Sequence, residues 1–217
     1  MPKPPKSRRA QDLRRRPGTR VRYDRVLIVC EGQKTECNYF EEIRIKARIP
    51  TARIHVLPSA IGTDPKSVVQ SAEDLFHSKG KCFERIYAVF DRDDHLEYAN
   101  AIHMAEARRT RFRNEARQAV TFEAIVSVPC FELWLLLHFV DVQVWMHRDK
   151  ALSDLKVHIP GYTKGMTNVY DNTEPNLSTA VNRAMALKSR FQRIPGDEPY
   201  TDIHELVVLL LNLRRPR

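Results

Sequence analysis

The sequence predicts an α/β fold in which a mostly parallel sheet is flanked by helices and followed by a helical C-terminal part. Three observations predict it: two short apolar runs, an alternation of strand and helix patterns up to about residue 128, and helical periodicity beyond it. Continuous apolar runs of strand length are typical of strands that helices cover on both faces. The 217 residues, 42% of them hydrophobic, suffice for one domain, or for one domain with a smaller attached unit.

Two apolar runs, at residues 25–30 and 86–90, predict the central strands of the sheet. Both are too uniformly apolar for half-exposed strands, so each should lie in the sheet interior. Acidic residues follow both runs. They are Glu31 and Glu36 after the first run, and Asp91 and Asp93 after the second. Because open α/β sheets bind ligands at the carboxyl ends of their strands, these four carboxylates should converge at one edge.

The other elements of the core alternate between helix and strand. We expect a helix at 35–47, a strand at 53–57, a helix that starts after Asp64, a strand at 85–90, a long charged helix near 95–117 and a strand at 120–128. Asp64 is a typical N-cap, and Pro65 suits the first helical position. Such an alternation is typical of a parallel, doubly wound sheet.

After Pro129 the pattern becomes helical. We expect helices at about 129–140, 148–157, 176–192 and 202–214. Asp202 and Glu205 form an N-terminal capping pair for the last of them. The chain is therefore divided into a basic leader at 1–22, an α/β core at 23–140 and a helical extension at 141–217 that packs on the core.

The leader carries most of the net charge of +9, since residues 1–22 contain nine Lys or Arg and a single Asp. It is rich in proline and poor in apolar residues, so we expect it to be disordered by itself. It either binds nucleic-acid phosphates or keeps the protein soluble. The leader residues assigned to nucleic acid are Arg14, Arg15, Arg16 and Arg20. The arginines of the 95–117 segment leave a similar choice between a nucleic-acid patch and a solvated face.

Composition also argues against two classes of protein. No run approaches 18 apolar residues, so we expect no membrane span, and the basic N-terminus lacks the apolar core of a secretion signal. The four cysteines show neither CxxC pairing nor a disulfide-like rhythm. The sequence therefore predicts a cytoplasmic protein with reduced thiols.

The four carboxylates suit a divalent cation, because Mg²⁺ and Mn²⁺ prefer oxygen ligands. A bound ion would orient a phosphodiester, neutralise charge on its oxygens and activate a water or hydroxyl nucleophile. Glu31 is positioned to exchange the proton, provided that like-charged neighbours raise its pKa. Gly32 permits the sharp exit of the chain and a close backbone approach.

Glu132 is a further acidic candidate, since it is polar within the apolar stretch 126–140. If Pro129 opens a helix, Glu132 lies in its first turns, on the carboxyl side of the preceding strand. It either completes the metal site or forms a salt bridge with Arg92. His138 lies about 240° around the helix from Glu132 and is expected to be a hydrogen-bonded structural residue.

Two lysines are weaker candidates for the site. Residues 32–35 resemble half of a phosphate-binding P-loop, but the upstream glycine and a glycine directly before Lys34 are missing, so no ATPase motif is present. Lys34 either contacts a phosphate or is solvated at a helix start. Lys164, in the loop 160–165, either reaches the substrate or lies in a surface turn.

These motifs resemble known proteins. Glu-Gly at one strand end followed by Asp-x-Asp at another is similar to the TOPRIM domain of primases, topoisomerases and OLD-family nucleases. A fuller similarity is to RloB-like proteins, which include the AbiLii component of a phage abortive-infection pair. The segments that carry it are Glu31–Phe40, Phe90–Asp93, Pro129–Phe139 and Pro199–Val207, and the resemblance covers residues 25–210.

The resemblance implies a TOPRIM-like fold and a metal-dependent nuclease that cleaves RNA or DNA as the effector of a prokaryotic anti-phage system. It also implies an ATPase partner of the AAA or ABC type. Applied to this sequence, the resemblance implies that Glu31, Asp91 and Asp93 are catalytic. We expect these three residues and Glu132 to be the ligands of Mg²⁺ or Mn²⁺. We assign supporting roles to Gly32, Lys34, Glu36 and Arg92, and a nucleic-acid contact to Lys164.

Two other classes of function compete with the nuclease. One is a non-catalytic regulatory subunit that binds nucleic acid or a partner and whose acidic cluster is structural. The other is a receiver-like phosphoacceptor with Asp91 as the acceptor, which is disfavoured because receivers carry paired acids after the first strand and a lysine after the last. Metal-dependent cleavage would separate the nuclease from the scaffold.

Overall fold

The computed structural model of the protein describes residues 24–196 and 199–213. Their fold is α/β, with one five-stranded sheet between helices. The strands are β1 (Val26–Cys30), β2 (Ile54–Pro58), β3 (Arg85–Asp91), β4 (Thr121–Val128) and β5 (Tyr200–Thr201). They lie in the order β2-β1-β3-β4-β5; β5 is antiparallel to β4, and the other neighbours are parallel.

The helices alternate with the first four strands and then follow one another. They are α1 (Thr35–Lys46), α2 (Pro65–Ser78), α3 (Tyr98–Glu106), α4 (Phe131–Leu136), α5 (Arg148–His158), α6 (Val169–Thr173), α7 (Leu177–Arg190) and α8 (Ile203–Asn212). A short 3₁₀ turn, Glu174–Asn176, joins α6 to α7. The predicted parallel core and C-terminal helical part are thus confirmed, while α6 and the edge strand β5 were not predicted.

Side chains of β1 alternate between two hydrophobic cores. Val26 and Ile28 pack on the face that α1 and the C-terminal helices cover, and Leu27 and Val29 pack on the face that α2 and α3 cover. All five residues of β1 are buried. This double burial explains the continuous apolar run, because neither face of the strand meets water.

The C-terminal helices share one core with α1. Leu206 and Leu210 of α8 lie in the same cluster as Tyr39 and Trp134. The indole nitrogen of Trp134 donates a 3.0 Å hydrogen bond to the Tyr39 hydroxyl. The buried indole therefore has a partner for its polar atom and ties α4 to α1.

The start of α2 follows the predicted N-cap. The Asp64 carboxylate accepts a 3.1 Å hydrogen bond from the backbone N–H of Ser67, and Pro65 occupies the first helical position. This hydrogen bond satisfies one of the free N–H groups of the first turn. The predicted helix start is confirmed.

The predicted capping pair at α8 is wrong. The Asp202 carboxylate is fully buried and accepts hydrogen bonds from Lys188 Nζ at 2.9 Å and from the Tyr200 hydroxyl at 2.8 Å. The Arg193 guanidinium completes this set, with its Nε 2.9 Å from the other carboxylate oxygen. Tertiary ion pairs thus use the oxygens that a local cap would need.

The predicted long helix near 95–117 is also wrong, since α3 covers Tyr98–Glu106 and turns follow it. The side-chain oxygen of Asn114 accepts hydrogen bonds from the backbone N–H groups of Ala116 and Gln118. Arg117 adopts a left-handed φ of 61°. Asn side chains that bond to their own backbone favour turns over helices, so the chain turns back here.

Two of the arginines after α3 form ion pairs with neighbouring elements. Arg108 lies 2.7 Å from Glu73, and Arg109 lies 3.6 Å from Glu123. These contacts support the interpretation of this segment as an ordinary charged surface. The basic leader, with its four assigned arginines, lies outside the described residues, and none of the described helices is both long and apolar enough to cross a bilayer.

We predict that Asp202→Ala lowers the free energy of unfolding by about 2–4 kcal/mol, because it leaves Lys188 and Arg193 without their buried partner. Asp154→Ala is the matched control. It removes a carboxylate that forms an ion pair with Lys150, about one helical turn away on α5. Such pairs contribute about 0.3–0.5 kcal/mol to the free energy of unfolding. Urea unfolding of both variants measures the difference; equal losses would contradict a structural role for Asp202.

Candidate metal site

The parallel pairing of β1 with β3 brings the first two carboxylates together. The register places Cys30 beside Val89, and the backbone N–H of Glu31 donates to the Val89 carbonyl at 2.8 Å. One oxygen of Glu31, Oε2, then accepts a 2.8 Å hydrogen bond from the backbone N–H of Asp91. The Glu31 side chain therefore bridges the ends of the two strands.

Asp91 is the last residue of β3 and is buried at the edge of the sheet. Its Oδ2 accepts a 3.0 Å hydrogen bond from the backbone N–H of Phe131, the first residue of α4. Burial raises the pKa of the Asp91 carboxyl well above its usual value, and the charges of Glu36 and Glu31 raise it further. This carboxylate is thus costly to ionise unless a cation lies beside it.

Asp93 turns its side chain back towards Glu31. Its backbone has a φ of 37°, and its N–H donates to the Pro129 carbonyl at 2.9 Å. Oδ2 lies 2.8 Å from the Arg148 guanidinium, whereas Oδ1 is buried and has no hydrogen-bond partner among the described residues. An unpaired buried carboxylate oxygen is unfavourable unless a ligand completes it.

His95 joins Glu31 and Asp93 in a group of three possible ligands. One ligand atom from each lies within 4.8 Å of the others, and His95 Nε2 is 3.3 Å from Glu31 Oε1. Ligands bound at about 2.1 Å to one ion lie at most about 4.2 Å apart. The three side chains would therefore move closer together when they bind one cation.

Glu36 and Glu132 lie deeper in the same cluster. Both are buried, and Glu36 Oε2 has no partner among the residues that the structure describes. Burial, followed by the charges of Glu132 and Glu31, raises the pKa of Glu36 to about 7. Glu132 accepts a 3.3 Å hydrogen bond from the Tyr162 hydroxyl.

Gly32 is required by the close approach of Glu36. A Cβ atom at this position would lie 2.3 Å from Glu36 Oε2, which is far inside contact distance. The Glu-Gly step therefore serves packing within the cluster as well as the turn after β1. Any larger residue here would displace the Glu36 carboxylate.

The loop between α5 and α6 brings a lysine to the acids. Its Gly165 N–H donates to Thr35 Oγ1 at 2.9 Å, and Asn38 donates to the Gly165 carbonyl at 3.0 Å. Burial lowers the pKa of Lys164, but the carboxylates of Glu132 and Asp91 outweigh it and the pKa is raised. Lys164 thus remains a cation beside the cluster.

Glu31 has a raised pKa for a different reason from the one expected. Burial is the largest cause, and the charge of Asp93 adds to it, whereas the hydrogen bond from the Asp91 N–H and the proximity of His95 oppose it. Burial likewise raises the pKa of Asp93 against the effect of Arg148. The negative charges of Glu31 and Asp93 are therefore more costly to form in the site than in water.

The structure collects the sequence-based candidates at one edge of the sheet. These are Glu31, Gly32, Lys34, Glu36, Asp91, Arg92, Asp93, Glu132 and Lys164. Lys34 packs against Gly165, and Arg92 donates a 2.6 Å hydrogen bond to the Asp93 carbonyl. His138 is buried, with Nδ1 3.0 Å from the Trp134 carbonyl, and burial lowers its pKa to about 4, so its expected structural role is confirmed.

Sequence reasoning missed His95, Tyr162 and Arg148. His95 stands two residues after Asp93, and a histidine so close to an Asp-x-Asp pair was a usable signal. Tyr162 and Arg148 are 30 and 55 residues from the acids that they contact, so no local pattern connects them.

A family model described as RloB-like protein matches residues 26–210 of the chain. This span contains every residue of the acidic cluster. Neither a curated protein nor a solved structure matches the chain.

Titration of Glu36 should make metal-free stability depend on pH. Its carboxyl pKa of about 7 exceeds the usual value of 4.5, so the folded state binds more protons than the unfolded state between these pH values. Stability should therefore fall as the pH rises from 5 to 8, with up to about 3 kcal/mol from this group. We expect Glu36→Gln to flatten the profile in urea unfolding with EDTA present.

Glu41→Gln is the control on the same helix, because Glu41 pairs with Arg44 and lies outside the cluster. It should leave the slope between pH 5 and 8 unchanged. An equal slope in wild type and Glu36→Gln would contradict the buried, proton-binding state of Glu36.

Proposed function

The chain belongs to the RloB-like family, and we propose that it is a metal-dependent phosphodiesterase of the TOPRIM type that cleaves nucleic acid. The observation that carries the proposal is the pair of buried carboxylate oxygens, on Glu36 and Asp93, that lack a partner in the described chain. Both lie in a cluster where five acids and His95 meet. An ion bound by oxygen ligands would satisfy these atoms.

The three candidate ligands fit a divalent cation that accepts a nitrogen ligand as well as oxygen ligands. Glu31, Asp93 and His95 supply two carboxylates and one imidazole. Carboxylates suit Mg²⁺ and Mn²⁺, whereas imidazole suits transition metals better. Mn²⁺ therefore fits this group at least as well as Mg²⁺. The buried acids Asp91, Glu36 and Glu132 would add negative charge around the bound ion.

When bound, the ion would polarise the phosphodiester and lower the pKa of a water molecule. Glu31 is held for proton exchange, since the Asp91 N–H fixes Oε2 and leaves Oε1 facing His95. Lys164 stands beside the carboxylates and would neutralise charge on the scissile phosphate. Arg148, which is ion-paired to Asp93, is placed to bind a neighbouring phosphate.

The cellular role proposed here follows from the resemblance to the AbiLii component. In that role the chain is the toxic effector of a prokaryotic anti-phage system. An AAA or ABC-type ATPase would restrain or activate it, as the pairing of AbiLii-like proteins implies. The basic leader would supply general affinity for phosphates.

A non-catalytic regulatory subunit is the second candidate. The 2.8 Å ion pair between Arg148 and Asp93 favours it, because this pair neutralises part of the cluster without a metal. The two candidates differ in whether removal of one carboxylate abolishes a reaction or only changes binding.

We predict that Glu31→Gln and Asp93→Asn each lower cleavage by about 100-fold or more while the protein stays folded, because each removes a ligand or proton-exchanging group. Labelled total RNA and plasmid DNA, incubated with purified protein and Mg²⁺ or Mn²⁺, measure the activity. Thermal unfolding in EDTA checks the fold of each variant.

Asp74→Asn is the control, since Asp74 is an exposed acid of α2 that accepts a hydrogen bond from Gln70 and lies outside the metal-ligand group. It should cleave like the wild type. Undiminished cleavage by both Glu31→Gln and Asp93→Asn, or cleavage without a metal ion, would contradict a metal-dependent nuclease built on these residues. No cleavage by the wild type would favour the regulatory subunit.

A further inference from the structure

A small pocket lies directly beside the metal-ligand group. Its volume is about 210 Å³. Residues of the turn after β3 and of the segment that leads into α5 line it. Its lining includes Arg92, Asp93, Pro129, Trp145, Met146 and Arg148. Typical pockets for drug-sized ligands measure roughly 300–1,000 Å³, so this one suits a single ring system.

One wall of the pocket is an exposed indole. Trp145 is 61% exposed, whereas Trp134, the other tryptophan of the chain, is fully buried. Trp145 packs loosely, with its ring centroid 6.5 Å from that of His147. Large aromatic rings that stay exposed beside a functional site are typical of binding surfaces.

Cationic side chains connect the indole to the acidic cluster. Arg148 lines the pocket and also reaches Asp93 Oδ2 at 2.8 Å, so its guanidinium stands between the pocket and the metal-ligand group. Arg92 lines the same pocket from the turn after β3. A ligand that places a flat ring on Trp145 and an anionic group near Arg148 would thus extend into the metal site.

We propose that this pocket takes an unpaired nucleobase, so that the substrate is single-stranded nucleic acid. The proposal rests on the nuclease function argued above. Proteins that bind single strands stack the bases on aromatic side chains and place cations along the nucleic-acid backbone. This works for any sequence, because every base has a face that stacks. A base inside a duplex is stacked on both faces and paired along one edge, so it cannot enter a pocket of this size without being extruded.

The test measures binding in EDTA, so that no cleavage occurs. Fluorescently labelled oligo-dT and oligo-rU report the single strand, and a blunt DNA duplex of equal length is the comparison. Stacking on one aromatic side chain is worth roughly 1–3 kcal/mol, so Trp145→Ala should weaken binding of both single strands by about tenfold. Trp145→Phe should lose less, since phenylalanine keeps a stacking face, and duplex binding should not change.

Val157→Ala is the matched control, because Val157 is 74% exposed on α5 and does not line the pocket. It should bind all probes like the wild type. A fully abasic oligonucleotide of the same charge should bind wild type and Trp145→Ala equally. Single strands should also quench the indole fluorescence of the wild type, and Trp145→Phe should lose this quenching because Trp134 is buried.

Several outcomes would overturn the nucleobase pocket. They are unchanged single-strand binding in Trp145→Ala, an equal loss for duplex and single strand, or an equal loss for the abasic probe. The comparison of oligo-dT with oligo-rU distinguishes DNA from RNA as the source of the base. Since binding is measured without metal, a protein that stacks bases but never cleaves would contradict the nuclease and leave the pocket supported.

Discussion

The pairing of β1 with β3 in parallel is the constraint on which the site depends. It places the last residues of both strands side by side, so that the Asp91 N–H reaches the Glu31 carboxylate at 2.8 Å. This hydrogen bond holds Glu31 Oε2, so that the other oxygen, Oε1, lies 3.3 Å from His95 Nε2. Asp91 is buried at the same edge. A shift of one residue in the register would turn these side chains to the opposite face of the sheet.

Gathering several acids at a buried edge is unfavourable in itself. The fold offsets part of this cost with hydrogen bonds and with cations, through the Phe131 N–H to Asp91 and through Arg148 to Asp93. It leaves two buried carboxylate oxygens, on Glu36 and Asp93, without partners in the described chain. Burial raises the pKa of both groups, so the negative charge of each is costly until a cation lies beside it. The cluster is therefore suited to bind metal at the expense of metal-free stability.

The C-terminal helical part contributes directly to the edge of the sheet. Tyr162 contacts Glu132, Lys164 stands beside the carboxylates, and Arg148 at the start of α5 pairs with Asp93. Trp145 adds an exposed ring next to the same turn. The α/β core thus supplies the acids, while the later helices and loops supply the cations and the aromatic surface. One consequence is that changes in the C-terminal part should affect ligand binding without altering the carboxylates.

The sequence by itself determined the parallel core, the strand ends that carry the acids and the identity of Glu31, Asp91 and Asp93 as neighbours. Those features depend on local patterns, namely apolar runs buried on both faces and polar residues directly after them. Only the tertiary structure decided the length of α3, the partners of Asp202 and the positions of Arg148 and Tyr162. The positions of Arg148 and Tyr162 and the ion pairs of Asp202 depend on contacts between residues far apart in the chain, such as Asp93 with Arg148. A sequence pattern of short period carries no information about such contacts. The turns after α3 are held by hydrogen bonds from the backbone to the Asn114 side chain, which the charge pattern of the segment does not reveal.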